Sequence, residues 1–290
     1  MDFLRLIRFK NLLLLILALL ITRYFNQTEN TDSTILNFNP TDFLLFVLAI
    51  LLITASGNII NDIFDLQIDS INKPDKQIIG KTISKQKAIF LYWFFNTVSI
   101  LNGIYLSYKT ANYNIIFIFL IVIFLLFLYS KKLKGTILIG NLIIAFLTPL
   151  PILVLTYFDV PNSTLKLITL IPIIIYYIFG VLLNLIRELI KDMQDFKGDK
   201  MYNIKTFAVV FGKKKTIQVI QFLSMLTLLS IMYLVWIIWK HHKILSLYLL
   251  VFIALPLLYL LLNYKKITAK KSSSLLKMIM LFGLFSLLLL

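Results

Sequence analysis

The chain has no cysteine and only two histidines, the adjacent pair His241 and His242. Disulfides, thiolate metal sites and cysteine nucleophiles are therefore excluded. A histidine-based zinc centre or a Ser/His triad has little to build on. Charge is also scarce: 14% of the 290 residues are Asp, Glu, Lys or Arg, against roughly 25% in a soluble domain. Acids are the scarcest of all, 13 against 29 basic residues. The resulting net charge of +16 does not point to nucleic acid, because the basic residues are scattered over short connections and form no single basic face.

Apolar residues fill the chain instead. They make up 60% of it, and the mean hydropathy is +0.90. Many runs of about 17 to 25 apolar residues are long enough to cross a bilayer core of about 30 Å as helices. Only helices and closed barrels satisfy the backbone inside lipid, and runs without period-2 alternation exclude a barrel. The expected fold is all-α and polytopic, with nine spans near 11–25, 41–62, 86–107, 113–129, 136–157, 165–189, 216–238, 244–263 and 272–289. With nearly all its length in spans, residues 1–290 read as a single domain. The start, with Arg5, Arg8 and Lys10 before an apolar run, resembles a signal peptide. No small-residue cleavage site follows, so the segment is expected to remain as the first span.

Lys and Arg sort strongly by side. The N-terminal tail and the connections after spans two, four, six and eight hold 24 of the 29; the opposite side holds Arg23, Lys109, Lys166, Lys240 and Lys243. The positive-inside rule then puts the N-terminus in the cytoplasm and the C-terminus outside. The chain reads as an integral multi-pass protein of a prokaryotic cell (inner) membrane, its acidic ends facing the cytoplasm.

Seven of the 13 acids fall in two short stretches where hydrophobic runs end. The first is Asn61-Asp62-Ile-Phe-Asp65-Leu-Gln-Ile-Asp69; the second runs from Glu188 through Asp192 and Asp195 to Asp199. The spacings i, i+3, i+7 and i, i+4, i+7, i+11 each put carboxylates on one helix face. Gly198 is expected to end or loosen the second helix before Asp199. Such stripes repel themselves unless cations neutralise them, and all-oxygen donors suit a hard ion such as Mg²⁺. Two stripes on one side of a membrane would let Mg²⁺ bridge the oxygens of a diphosphate and neutralise the charge of its departure. The bland alternative is a pair of solvated helix ends. Lys131, Lys132 and Lys134 after Tyr129-Ser130, and Lys73 and Lys76 beyond the first stretch, are candidate phosphate clamps or topology determinants.

A transporter is the alternative from another class, since intramembrane acids mark ion pathways. Transporters hold such charges near the bilayer midplane, whereas here they lie at span ends. A CDP-alcohol phosphotransferase requires glycine directly after the second Asp of its signature, where this chain has Leu66 after Asp65.

The motifs resemble the UbiA-type intramembrane prenyltransferases. Asn61-Asp62-x-x-Asp65-x-x-x-Asp69 matches the first signature of that family and Asp195-x-x-x-Asp199 the second. The likeness extends over Leu6 to Asn11, Asp69 to Lys76, Tyr129 to Lys134, Gly140-Asn141, Glu188 to Lys200, Lys205-Thr206 and Gly212-Lys213. It implies nine helices around a central cavity and Mg²⁺-dependent transfer of a prenyl group from a polyprenyl diphosphate to a lipophilic acceptor, with membrane lipid as surroundings and no nucleic acid. It also implies that Asn61, Asp62, Asp65 and Asp69 hold one metal–diphosphate face and Asp195 and Asp199 the other, with Asp192 assisting. Lys131 and the Tyr129-Ser130 pair match positions near the diphosphate and the allylic carbocation, which a tyrosine ring stabilises, and Lys134 is a further candidate substrate-binding residue. The run Asn61 to Lys76 most resembles the branch acting on geranylgeranylglyceryl phosphate, although Lys73, Lys76 and Gln77 stand where that branch often has Arg, Arg and Pro. Prenylation of an aromatic quinone precursor, of 4-hydroxybenzoate or dihydroxynaphthoate type, is the alternative.

Overall fold

The computed structural model describes residues 2–28, 36–72, 74–161, 164–264 and 267–290. The chain enters through a short helix α1 (Asp2–Leu6) that breaks at Arg8, whose φ is 53°, into α2 (Phe9–Thr28). Helix α3 (Pro40–Phe64) starts on the Asn39 side chain, which accepts the Asp42 N–H at 2.8 Å, with Pro40 in the first turn. It ends at Asp65, after which α4 (Leu66–Asn72) restarts the chain. Helix α5 (Lys85–Lys109), capped by Ser84, runs back along α3, and α6 (Asn114–Lys131) returns.

The fifth expected span is not one helix. It is α7 (Ile139–Leu147) and α8 (Leu150–Asp159), bent by 42°. Pro149 and Pro151 supply no N–H and their rings oppose a continuous helix, so the chain turns there. The bend is seated on Gly180, where a Cβ would stand 2.8 Å from Pro149 Cβ.

Helix α9 (Thr164–Met201) is far longer than the sixth expected span, 165–189, and carries the whole second acidic stretch on its last turns. Gly198 neither ends nor loosens it. The helix runs through that position, and glycine is needed because the Asn72 side chain packs where a Cβ would be, at 2.5–2.6 Å. Helix α10 (Phe207–Ile238) contains a break at Gly212, whose φ of 80° and ψ of 160° suit glycine. Helices α11 (Lys243–Leu249) and α12 (Leu255–Asn263) form one span through a π turn at Leu250–Ala254. The chain closes with α13 (Ala269–Phe285) and a 3₁₀ turn.

Among the described residues, eight helical segments, or nine if α7 and α8 count as one span, are long and apolar enough to cross a membrane. Several apolar clusters hold them, of which two are the largest. One joins α2, α3, α5, α6 and α8 around Phe46, Leu106 and Phe119; the other joins α9 to α13 around Ile186, Ile220, Leu257 and Leu276. Large side chains such as Phe90, Trp93, Phe222 and Trp236 point outward, as a lipid-facing surface requires. At the end of the bundle away from the acidic stretches, the Arg23 guanidinium bridges the Asp159 carboxylate and the Phe38 carbonyl, while Lys109 pairs with Asp42 at 2.8 Å.

Candidate active site

A cavity of about 1560 Å³ is walled by residues of both cores and carries acidic and basic side chains where α3, α6 and α9 finish. Its depth is apolar, walled by residues such as Ile50, Phe119, Leu150, Ile175 and Leu183, and its mouth carries the charges. That volume exceeds the roughly 300–1,000 Å³ typical of a drug-sized ligand.

The break after α3 places the first acidic stretch. Asp65 keeps its backbone bond to the Asn61 carbonyl at 2.9 Å, and Asp69 bonds to the Asp65 carbonyl at 2.8 Å, so the turns stay in phase across the break. Asn61, Asp62, Asp65 and Asp69 all line the cavity. Asp65 is only 4% exposed; its Oδ2 accepts the Asn61 amide at 2.8 Å and the Lys134 ammonium. Asp62 Oδ1 accepts Arg8 Nη2 at 3.0 Å.

Lys134 reaches the site because the α6–α7 connection doubles back on itself. The chain makes a 3₁₀ turn at Leu133–Gly135, takes Leu138 through φ 63°, and packs Gly140 so tightly that a Cβ would sit 2.7 Å from the Leu133 carbonyl oxygen. Burial opposes the Lys134 charge, but the adjacent Asp65 carboxylate, with Asp69 and Asp199 behind it, outweighs burial and holds its pKa above the ordinary 10.5.

On α9, Asp192 and Asp195 line the same cavity, and Asp192 Oδ2 accepts the Asn141 amide of α7 at 2.9 Å. Asp199, 3% exposed, is buried in the last turn of α9 and is not among the residues lining the cavity. The two acidic stretches are tied together where the Gly198 N–H donates to Asn72 Oδ1 at 2.9 Å. Among the candidates at and just beyond the end of α6, Tyr129 and Lys134 are on the cavity wall. Ser130 is buried and its hydroxyl donates to the Leu126 carbonyl at 2.9 Å, while Lys131 is exposed with its ammonium over the Phe127 ring. Lys73 and the side chain of Lys76 lie outside the described residues.

Cavity-lining cations that the sequence did not single out as ligands include Arg8, Arg187, Lys191 and Lys277. Arg187 and Lys191 share the carboxylate oxygen Glu188 Oε1, at 3.3 and 2.5 Å, and Lys277 donates to Asn11 Oδ1 at 3.1 Å. Helical spacing from Asp195 brings Lys191 and Glu188 to the same face of α9, which was a usable signal. Nothing in the sequence joins Lys277 to them.

The acids supply only carboxylate and carboxamide oxygens, the donor set a hard divalent ion takes, and buried Asp65 already holds a cation in Lys134. The chemistry therefore fits Mg²⁺. Among the described residues, no three acidic side chains converge closely enough to hold an ion by themselves.

Fold and site define a polytopic α-helical membrane protein with a carboxylate-rimmed intramembrane cavity. The chain belongs to the UbiA prenyltransferase family, whose pattern matches residues 33–285. It is 36% identical over 180 residues to the digeranylgeranylglyceryl phosphate synthase of Saccharolobus solfataricus, a match covering 61% of this chain and 59% of that protein. It is 28% identical over 218 residues to that of Methanosphaera stadtmanae, covering 75% and 72%. The chain thus spans about 59% of the first relative's length. Among solved structures, it superposes with a TM-score of 0.66 at 28% identity on one described for digeranylgeranylglyceryl phosphate synthase in membranes, covering 99% of this chain and 96% of that one. A UbiA homolog from Archaeoglobus fulgidus bound to DMAPP and Mg²⁺ superposes with a TM-score of 0.65 over both full lengths; at 16% identity it shows the fold alone.

Proposed function

We propose that this single-domain protein transfers a geranylgeranyl group from geranylgeranyl diphosphate to the free hydroxyl of geranylgeranylglyceryl phosphate, forming an ether. The observation that carries this reading is the cavity: an apolar interior for prenyl chains whose mouth is flanked by both acidic stretches. The names of the relatives support the acceptor.

Asn61, Asp62, Asp65 and Asp69 on one side, and Asp192, Asp195 and Asp199 on the other, would hold Mg²⁺ and the diphosphate. Bound there, Mg²⁺ would supply positive charge against the oxygens of the leaving diphosphate. Lys134 contributes a fixed ammonium to the same oxygens, and its bond to Asp65 orients it. The C1–O bond to the diphosphate breaks, the acceptor oxygen takes C1, and the hydroxyl proton passes to the departing diphosphate. Tyr129 presents its ring where an allylic cation forms. The apolar wall excludes water, which would otherwise capture that cation.

The distribution of Lys and Arg supports an opening toward the cytoplasm of a prokaryotic cell membrane, the side from which soluble diphosphates and Mg²⁺ arrive. The test is purified protein with labelled geranylgeranyl diphosphate and a panel of acceptors, with products identified by mass. The ether of glycerol phosphate is expected as product, and EDTA is expected to abolish it. Turnover of an aromatic acid or naphthoate in its place would overturn the acceptor and leave prenyl transfer standing; full turnover in chelator would sink the metal–diphosphate reading.

A further inference from the structure

The mouth of the cavity is divided by charge. On the side of α4 and the last turns of α9, Asp65, Asp69, Asp192 and Asp195 line the mouth with Lys134, and Asp199 acts on Lys134 from behind them, which leaves acids in excess. On the side formed by the α1–α2 break, the preceding turn of α9 and the middle of α13, the balance reverses. Arg8, Arg187, Lys191 and Lys277 meet there with only Asp62 and Glu188 between them. Arg8 and Arg187 both act electrostatically on Lys191 and on Lys277, so the four cations form one group. The rim pair Arg5–Asp2, at 3.5 Å, is neutral and does not alter the count.

Two uncompensated positive charges remain in this group; Arg8 and Lys191, 41% and 33% exposed, reach the open mouth, while the Arg187–Glu188 pair behind them is largely covered. The Arg187 side chain is 14% exposed and Glu188 7%. The Arg187 Nε–H is buried with no hydrogen-bond partner. Crowding like charges away from water is costly, and a buried unpaired donor adds to that cost. One dianionic ligand with several acceptor oxygens would relieve both. A phosphate monoester fits: it carries about −1.5 to −2 at neutral pH and offers three acceptor oxygens. Glu188 plays the organising part, because its Oε1 accepts both Arg187 Nη1 and Lys191 Nζ and so fixes two of the donors in advance.

We infer that Arg8, Arg187, Lys191 and Lys277 form the subsite for the phosphate monoester of the acceptor, separate from the acidic subsite for the diphosphate donor. This rests on the prenyl transfer proposed above and deepens it. The division has a physical purpose: two highly charged phosphates enter one mouth, and each needs compensation of its own so that they do not repel one another. The acceptor's tail then lies in the same apolar cavity as the donor's.

The experiment is equilibrium binding to the full chain in detergent, without donor and without Mg²⁺. The probes are geranylgeranylglyceryl phosphate, the same ether lacking its phosphate, and inorganic phosphate. The wild-type protein is expected to prefer the phosphorylated ether over the alcohol by roughly tenfold or more, the scale of charge-assisted hydrogen bonds. Arg187→Gln and, separately, Lys277→Gln should each remove most of that preference while donor KM in Mg²⁺ stays within about twofold. Lys277→Gln leaves Glu188 paired with Arg187 and Lys191, so it reads the subsite even if the Arg187 variant folds poorly.

Variants that keep the preference, or that weaken donor and acceptor alike, would overturn the subsite while prenyl transfer to the ether phosphate continued. Inorganic phosphate competing as strongly as the ether would overturn its assignment to the acceptor. A wild-type protein that turns over an aromatic acid and never binds the ether phosphate would overturn the acceptor reading and this inference together.

Discussion

The Gly198 backbone N–H donates to the Asn72 side-chain carbonyl at 2.9 Å, joining residues 126 positions apart in sequence. This bond docks α4, which continues the first acidic stretch, onto the last turns of α9, which carry the second. Only glycine allows it, since a Cβ would lie 2.5 Å from Asn72 Nδ2 and 2.6 Å from its Cγ and Oδ1. The obstructing atoms belong to the end of a side chain, so a larger residue would displace Asn72 and leave the helix intact. Gly198→Ala is therefore expected to lower turnover at least tenfold through misplacement of the two acidic faces. The fold should lose only about 1 kcal/mol, the worth of one hydrogen bond. Turnover and detergent melting measured side by side check this; wild-type turnover in Gly198→Ala would show that the α4–α9 contact does not set the site.

Asp65 and Lys134 provide the second test. Asp65→Asn removes a carboxylate from the proposed metal–diphosphate face and leaves Lys134 with a neutral partner, and should reduce turnover by orders of magnitude. Wild-type rates in that variant would remove Asp65 from the site. Lys134→Gln should also be severe, without altering the shape of the pH–rate profile between pH 6 and 9. The sign follows from the shift: a lysine whose folded pKa is raised contributes fully below the unfolded value of 10.5 and loses that contribution only as pH climbs through the higher folded value. A profile limb that disappears in this window in Lys134→Gln would contradict the assignment.

At the opposite end, Arg23→Ala strands the Asp159 carboxylate, which is fully buried and shares its Oδ1 between Arg23 and the Phe38 N–H at 3.1 Å. Breaking a buried pair from one side costs about 3–5 kcal/mol. The variant is expected to melt well below wild type in detergent, with KM for the donor unchanged in protein that remains folded. An unchanged melting temperature would mean the clasp between α2, α3 and α8 carries no stability.

Topology supplies the last prediction. A reporter after Leu290 should read as external, and reporters in the connections near Lys76 and Lys205 as cytoplasmic. A cytoplasmic C-terminus would make the number of crossings even, in which case α7 and α8 form a re-entrant pair and not a span.

The sequence by itself determined the class of this protein. Apolar runs of membrane length dictate helices because lipid offers the backbone no other partner, and both acidic stretches were legible because carboxylates are so rare in the chain. Helical spacing also marked Asp62, Asp65 and Asp69 as one face, which survives across the break because the Asp65 and Asp69 N–H bonds continue the helical pattern. Local pattern misjudged the interruptions. Gly198 looked like a helix end and is a contact surface, and residues 136–157 looked like one span and are two helices meeting at Pro149. Composition within a short window cannot tell a glycine that frees the backbone from one that admits a neighbour.

Only the tertiary structure decided which charges face each other. It chose Lys134 over Lys131 for Asp65, because the turn after α6 swings one ammonium inward and leaves the other over Phe127. It also gathered Arg8 from the α1–α2 break, Arg187 and Lys191 from α9 and Lys277 from α13 at the mouth. Neighbours on a helix are set by its 3.6-residue period and can be read from spacing. Neighbours across a bundle are set by how whole helices pack, and no local spacing encodes that.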